Sequence, residues 1–210
     1  MILRDRVQAG LLLLDEVRRL NLARPVVLGI PRGGVIVAAE VAKGLRAPLD
    51  VIIPRKIGAP FNPELAVGAV TQDGTLILDD SLKAALRVDD RYIQMRVRDE
   101  IREIERRLEV FRRGLPPMDL ASADVVVVDD GIATGLTITA ALRSVSAQSP
   151  SSTVLAVPVA PTEALERLSG EVDHLVCLAS PEPFYAVGQW YARFDQVEDE
   201  EVIAALRECR

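Results

Sequence analysis

The sequence predicts an α/β protein on an open, mostly parallel, doubly wound sheet. Three observations carry that prediction. Short apolar runs alternate with stretches of helical periodicity along most of the chain. The run VVVV at residues 125–128 is apolar at every position, as a strand covered on both faces requires. Two such runs pass straight into small-residue turns that open a helix, PRGG after residues 25–30 and DDGIATGLT after residues 125–128.

Taken in order, Val7, Leu11, Leu14 and Val17 recur at helical spacing, predicting a helix over residues 4–20 with those four side chains on one face. PVVLGI, residues 25–30, is a short apolar strand, and VIVAAEVAKGL, residues 35–45, the helix after it. Residues 49–54 read as a second strand. The Gly- and Pro-rich RKIGAPFNP that follows reads as a flexible loop. ELAVGAV and TLIL, joined by TQDG, read as a hairpin. Asp79 and Asp80 follow TLIL with no Ala-Thr-Gly behind them, so they are turn and helix-capping residues.

The segment from residue 91 to 113 breaks the alternation. Ile93, Val97, Ile101, Ile104, Leu108 and Phe111 make one narrow stripe on a long helix whose other faces are filled by arginines and acids. The stripe fits a helix packed on the body of the protein or paired with the same helix of a second subunit, giving a possible homo-oligomer. Interleaved acids argue against nucleic acid. After the valine run come a helix at residues 136–148, a strand at 154–159, a helix at 162–168, a strand at 172–178 and a closing helix at 199–207.

Composition narrows the function. A net charge of −6 and a pI near 5.0 do not suit a nucleic-acid wrapper or a basic membrane-surface protein. Four consecutive leucines at residues 11–14, flanked by charge, are too short for a signal peptide or membrane span. Cys177 and Cys209 form neither a metal spacing nor a disulfide framework, so a cytoplasmic protein is expected. The single histidine, His174, reads as a strand residue without the partners that triads or histidine metal sites need.

Asp129 and Asp130 hold the functional signal. In open α/β sheets, ligands sit beyond the carboxyl ends of the strands. Adjacent ionised carboxylates repel and need donors or a cation nearby. Vicinal ribose hydroxyls are suitable donors, and Mg²⁺ bridged by water is a suitable cation. Downstream, Gly131, Ile132, Ala133, Thr134, Gly135, Leu136 and Thr137 lead into a helix N-terminus, where backbone N–H groups and two hydroxyls can meet a phosphate. Together these describe a ribose 5-phosphate site.

VVVVDDGIATGLT closely resembles the 5-phosphoribosyl-1-pyrophosphate (PRPP) motif of type I phosphoribosyltransferases, at every position. GIPRGG, with Pro31, Arg32, Gly33 and Gly34, is similar to that family's pyrophosphate loop. RKIGAP resembles the Arg-Lys segment of its purine-type members, where the catalytic loop begins. The resemblance spans residues 26–158. It implies one domain over residues 1–210, with an insertion at about 55–120 and a small hood at about 179–210. It further implies Mg²⁺ and displacement of pyrophosphate from the ribose anomeric carbon. Arg55, Lys56, Asp129 and Asp130 would be catalytic, and Arg32, Arg55 and Lys56 would meet the pyrophosphate. The partners would be PRPP and a small acceptor.

The sequence departs from the family in two places. Ala133 stands where some purine-specific relatives carry an acid, which leaves no assigned general base. The segment SPEPFYAVGQWYARFDQ holds no base-specific motif, and Phe184, Tyr185, Trp190 and Tyr191 form either a stacking wall or a local mini-core. Three functions remain open: an enzyme transferring phosphoribosyl to a nitrogen nucleophile, a PRPP or nucleotide sensor of the same fold, and a hydrolase acting on a ribose phosphate.

Overall fold

The computed structural model describes residues 1–209. In chain order, α1 (Arg6–Arg18), β1 (Pro25–Gly29), α2 (Gly33–Leu45) and β2 (Leu49–Val51) lead into β3 (Arg55–Ala59), β4 (Asn62–Val70) and β5 (Leu76–Leu78). Two helices follow, α3 (Asp80–Ala85) and α4 (Asp90–Arg112). The chain then alternates through β6 (Asp124–Val128), α5 (Leu136–Ser146), β7 (Ser152–Val159), α6 (Thr162–Leu168) and β8 (His174–Ala179), closing with α7 (Asp199–Glu208).

The main sheet is wholly parallel in the order β2-β1-β6-β7-β8. Strand β6 pairs residue for residue with β1, from Pro25 opposite Asp124 to Gly29 opposite Val128. Successive side chains leave opposite faces of a strand. Val126 and Val128 thus join a core with α1, α2, α4 and α7, while Val125 and Val127 join a second core with α5 and α6. Helices on both faces make the sheet doubly wound, as the all-apolar valine run implies. Strand order reverses between β1 and β6, so a crevice opens there at the carboxyl ends of the strands.

Helix α1 packs differently from the expected face. Val7 and Leu11 are exposed, and the buried residues are Ala9, Gly10, Leu13, Leu14 and Val17. The cause is backbone approach to α2. A Cβ on Gly10 would lie 2.5 Å from the Val37 carbonyl oxygen, and one on Gly44 would lie 2.0 Å from a Leu14 methyl. Small residues, not the longest aliphatic stripe, choose the contact face.

A second correction concerns the segment after β2. Arg55 and Lys56 belong to β3, the first strand of an antiparallel three-stranded sheet in the order β3-β4-β5, and not to a loop. Gly and Pro mark irregular pairing here: the register shifts on both sides of Gly58. A Cβ on Gly58 would lie 2.4 Å from the Pro63 carbonyl oxygen, so the glycine is what lets β4 come close.

Helix α4 turns its stripe inward. Ile93, Ile104 and Phe111 are buried and Val97, Ile101 and Leu108 pack against the same core. Its end is pinned by Arg112, whose Nε donates to buried Asp50 of β2 at 3.0 Å. On its outer face Glu103 and Arg107, four residues apart, pair at 2.7 Å. Asp79 caps α3, its carboxylate accepting from Leu82 N–H at 2.8 Å. His174 opens β8 and is exposed. The final residue of the expected hood, Arg210, lies outside the described residues.

Candidate functional site

Two turns meet at the switch point. Residues 31–34 leave β1 and open α2, and residues 129–135 leave β6 and open α5. Their glycines are in contact with the acid pair. A Cβ on Gly34 would lie 2.8 Å from both the Asp129 Cα and its Oδ1, and one on Gly33 only 1.9 Å from Asp130 Oδ2. Any larger residue would displace the carboxylates, so the two glycines are required by this approach. Pro31 and Arg32, joined by a cis peptide, form the rim of the same turn. Arg32 extends loosely toward α7, 3.7 Å from Asp199 Oδ1 and 3.9 Å from Glu198 Oε2.

The carboxylates are partly satisfied by the protein. Asp129 Oδ1 accepts from the Asp130 backbone N–H at 2.8 Å. Asp130 Oδ2 accepts from Arg6 Nε at 2.8 Å, and the Asp130 carbonyl accepts from the Tyr191 hydroxyl at 2.7 Å. Burial pushes both carboxyls above the ordinary range, and on Asp129 the neighbouring charge of Asp130 adds to that push. On Asp130 the Arg6 guanidinium pulls the other way. Burial, with the charge of Asp130 beside it, also raises the Tyr191 phenol, so it stays a hydrogen-bond donor.

The turn after the acids suits an anion. Gly135 takes φ 85°, the left-handed region where L side chains are strained, and caps α5 with its N–H groups facing the turn. Gly131 and Ile132 are buried beneath it, while Ala133 and Thr134 are exposed. Thr134, Leu136 and Thr137 line a cavity of about 560 Å³ with Lys56 of β3 and Arg167 of α6. Arg167 Nη2 donates to the Thr134 carbonyl at 2.7 Å, bracing the turn from outside.

The two β3 cations are not equivalent. Lys56 Nζ lies 2.5 Å from exposed Glu64, at the edge of the cavity that holds Thr134 and Thr137. Arg55 lines a neighbouring cavity of about 290 Å³ with Tyr92, Arg96 and Glu100, which Lys56 and Glu64 border from their side as well. Its Nε donates at 2.7 Å to Glu100, which is buried in α4 and also accepts from Arg96.

The structure thus gathers Gly33, Gly34, Asp129 and Asp130 into one contact, with Arg32 at its rim. It brings Lys56 toward Thr134 and Thr137 and holds Arg55 away on α4. Sequence reasoning missed the contacts of Arg6 and Tyr191 with Asp130 and of Arg167 with the turn. Arg6 and Asp130 are 124 residues apart, so no local pattern links them. Of the C-terminal aromatics, Phe184 and Trp190 pack 6.2 Å apart between ring centres and Tyr191 and Phe194 5.0 Å apart, while Tyr185 is exposed. The mini-core reading holds for three of the four residues, Phe184, Trp190 and Tyr191.

Among the described residues no group of three or more His, Cys, Asp or Glu could hold a metal, and no helix is long and apolar enough to cross a membrane. A Mg²⁺ carried on substrate phosphates needs only one or two carboxylates and keeps several waters. Asp129 and Asp130 fit that requirement.

Comparisons with known proteins agree with this arrangement. The family model described as a phosphoribosyl transferase domain matches residues 8–179. Two Mycobacterium tuberculosis proteins, provisionally named phosphoribosyl transferases, are 46% identical over 202 residues, covering 96% of this chain and 46% of theirs. The chain therefore spans about half the length of these curated relatives. The crystal structure of TT1426 from Thermus thermophilus is 46% identical, with a TM-score of 0.84 and 99% of both chains covered. A purine phosphoribosyltransferase from Pyrococcus horikoshii shares the fold at 18% identity, with a TM-score of 0.50 and 91% of each chain covered. The acid pair, the two glycine turns and the parallel sheet that joins them fall within the matched residues, and the chain belongs to the type I phosphoribosyltransferase family.

Proposed function

We propose that the protein transfers the 5-phosphoribosyl group of PRPP to a nitrogen nucleophile, a small nucleobase-like acceptor, and releases pyrophosphate. The observation that carries this reading is the contact of Gly33 and Gly34 with Asp130 and Asp129 at the switch point. It sets an amide-lined turn for a pyrophosphate against carboxylates for a ribose. Residues 131–137 take the 5-phosphate beside them, through backbone N–H groups and the hydroxyls of Thr134 and Thr137.

Breaking the ribose C1–O bond leaves positive charge on the sugar and negative charge on the departing pyrophosphate. Asp129 and Asp130 hold the sugar hydroxyls, and the same pair would hold a Mg²⁺, which would supply positive charge to offset that on the leaving group. Arg32 and Lys56 add positive charge from two sides, where it stabilises the transition state more than the ground state. Lys56 leaves Glu64 to do so, a small cost for an exposed pair. The family resemblance also supports one domain over residues 1–210, with β3 to α4 as its insertion and the segment after β8 as its hood, acting in the cytoplasm.

Arg55 favours a second reading. Committed to buried Glu100, it is not free to stabilise a departing pyrophosphate, which suits a sensor of PRPP or of a nucleotide. Incubating the protein with PRPP, Mg²⁺ and a panel of bases and amines, while following pyrophosphate release, separates the two. Release with one acceptor supports the transferase. Tight PRPP binding without release for any acceptor supports the sensor.

A further inference from the structure

Asp130 is gripped by two segments outside residues 8–179, the span matched by the family model. One is the first turn of α1. The Arg6 side chain is only 12% exposed and is fixed three ways. Its Nε donates to Asp130 Oδ2 at 2.8 Å, its Nη1 donates to the Asp195 carbonyl at 2.8 Å, and its guanidinium lies 3.9 Å above the Phe194 ring centre. The other is the C-terminal segment, which supplies Phe194, Asp195 and the Tyr191 hydroxyl on the Asp130 carbonyl.

The two segments are also joined to each other. Leu3 N–H donates to the Trp190 carbonyl at 2.8 Å, Ala192 N–H to the Leu3 carbonyl at 2.7 Å and Arg193 N–H to the Arg4 carbonyl at 3.0 Å. Arg193 pairs with Asp5, the cap of α1, at 2.7 Å. This zipper ends at Arg6 and so at the acid pair.

We infer that Arg6 is a positioning residue for the ribose-binding carboxylate Asp130, and that through it the C-terminal segment is mechanically part of the ribose subsite. The inference rests on the proposed function, which assigns the sugar hydroxyls to Asp129 and Asp130. With one oxygen of each carboxylate committed to a protein N–H, the second oxygen of each is the acceptor that one of two adjacent hydroxyls requires. Arg6 fixes the rotation of the Asp130 carboxylate, and its charge offsets one of two anions facing an anionic ligand. A guanidinium serves two acceptors and a ring face at once, which an ammonium cannot.

The test is calorimetry on the full chain with two separate probes, ribose 5-phosphate and pyrophosphate, for the parent, Arg6→Gln and Arg6→Lys. Arg6→Gln should weaken ribose 5-phosphate by about tenfold or more, the scale of one charged hydrogen bond, and pyrophosphate by distinctly less, because pyrophosphate shares the lost charge beside Gly33 but not the carboxylate that Arg6 orients. Arg6→Lys should restore part of the loss. Unchanged ribose 5-phosphate affinity in Arg6→Gln overturns the inference, as does an equal loss for both probes, which would mark general structural damage. If Arg6→Gln does not fold, Phe194→Leu carries the test by removing the ring that lies beneath Arg6 and packs on Tyr191, the two C-terminal contacts that reach Asp130. A loss confined to ribose 5-phosphate supports the inference, and no loss, or an equal loss for both probes, overturns it. A parent that binds no ribose 5-phosphate overturns the proposed function itself, and this shows before any variant is made.

Discussion

Arg55 Nε donates to the buried carboxylate of Glu100 at 2.7 Å, whereas its neighbour Lys56 pairs with Glu64 at the surface. Two adjacent cations thus carry different loads. Arg55→Ala leaves buried Glu100 with Arg96 as its remaining ion-pair partner, and should lower stability by about 1–3 kcal/mol. Lys56→Ala removes an exposed pair and should cost no more than about 0.5 kcal/mol. Urea unfolding of both variants checks this, and equal losses would contradict the division.

Lys56 should instead act in turnover. With an acceptor in hand, Lys56→Ala should lower kcat about 10²–10³-fold, the range for removing one preorganised charge-stabilising donor. PRPP affinity should change far less, because charge on the pyrophosphate grows as the bond breaks. Equal losses in kcat and in affinity would reduce Lys56 to an anion anchor.

Changing Asp129 and Asp130 together to Asn keeps their shape and removes both charges. PRPP affinity measured with Mg²⁺ should fall by at least about 1.5–3 kcal/mol, the scale of hydrogen bonds to charged groups. Burial disfavours both charges, and on Asp129 the charge of Asp130 adds to this, so the same variant should be no less stable than the parent even though Arg6 loses its charged partner. Calorimetry and thermal melts read the two halves separately.

The phosphate turn separates backbone from hydroxyl. Gly135→Ala forces a side chain into the left-handed region and should cost about 1–2 kcal/mol of stability. Thr137→Val should fold like the parent yet bind ribose 5-phosphate more weakly. Unchanged affinity in Thr137→Val would remove its hydroxyl from the site.

Acid should loosen the zipper between the chain ends. The Gln8 N–H that Asp5 caps, with Arg4 and Arg193, holds the Asp5 carboxyl down to about 2. A carboxyl depressed in the folded state contributes stability above its unfolded value, and the contribution is lost as pH falls toward about 2. Asp5→Asn keeps a side-chain oxygen for the cap and removes the charge. Its melting temperature should therefore fall less steeply than the parent's between about pH 4 and pH 2. Parallel curves would show that the charge of Asp5 contributes nothing.

Much of the fold was legible because period 2 and period 3.6 are written in apolar residues. Residues 125–128 have no polar face, and α4 shows one narrow stripe. Asp129 and Asp130 were legible because charge at a buried strand end needs a partner. What escaped depended on contacts across sequence. The face of α1 was decided by Gly10 meeting α2, which no pattern within α1 announces. Arg55 and Lys56 read as loop because Gly58, Pro60 and Pro63 are turn residues, yet here they mark an irregular strand pair. Nothing in the residues around Arg6 sets it apart from a surface cation, because its partner Asp130 lies 124 residues away.

The ladder between β1 and β6, closed at Gly29 and Val128, has one more consequence. The glycine turn and the acid turn start from paired residues on adjacent strands, so their separation is set by the strand spacing of about 4.8 Å. That ruler is a backbone property, indifferent to which helices or side chains surround it. Change can accumulate in the β3-β4-β5 sheet or in the segment after β8 without moving the two turns relative to each other. Such a scaffold lets the surroundings vary while the geometry between the two turns stays constant.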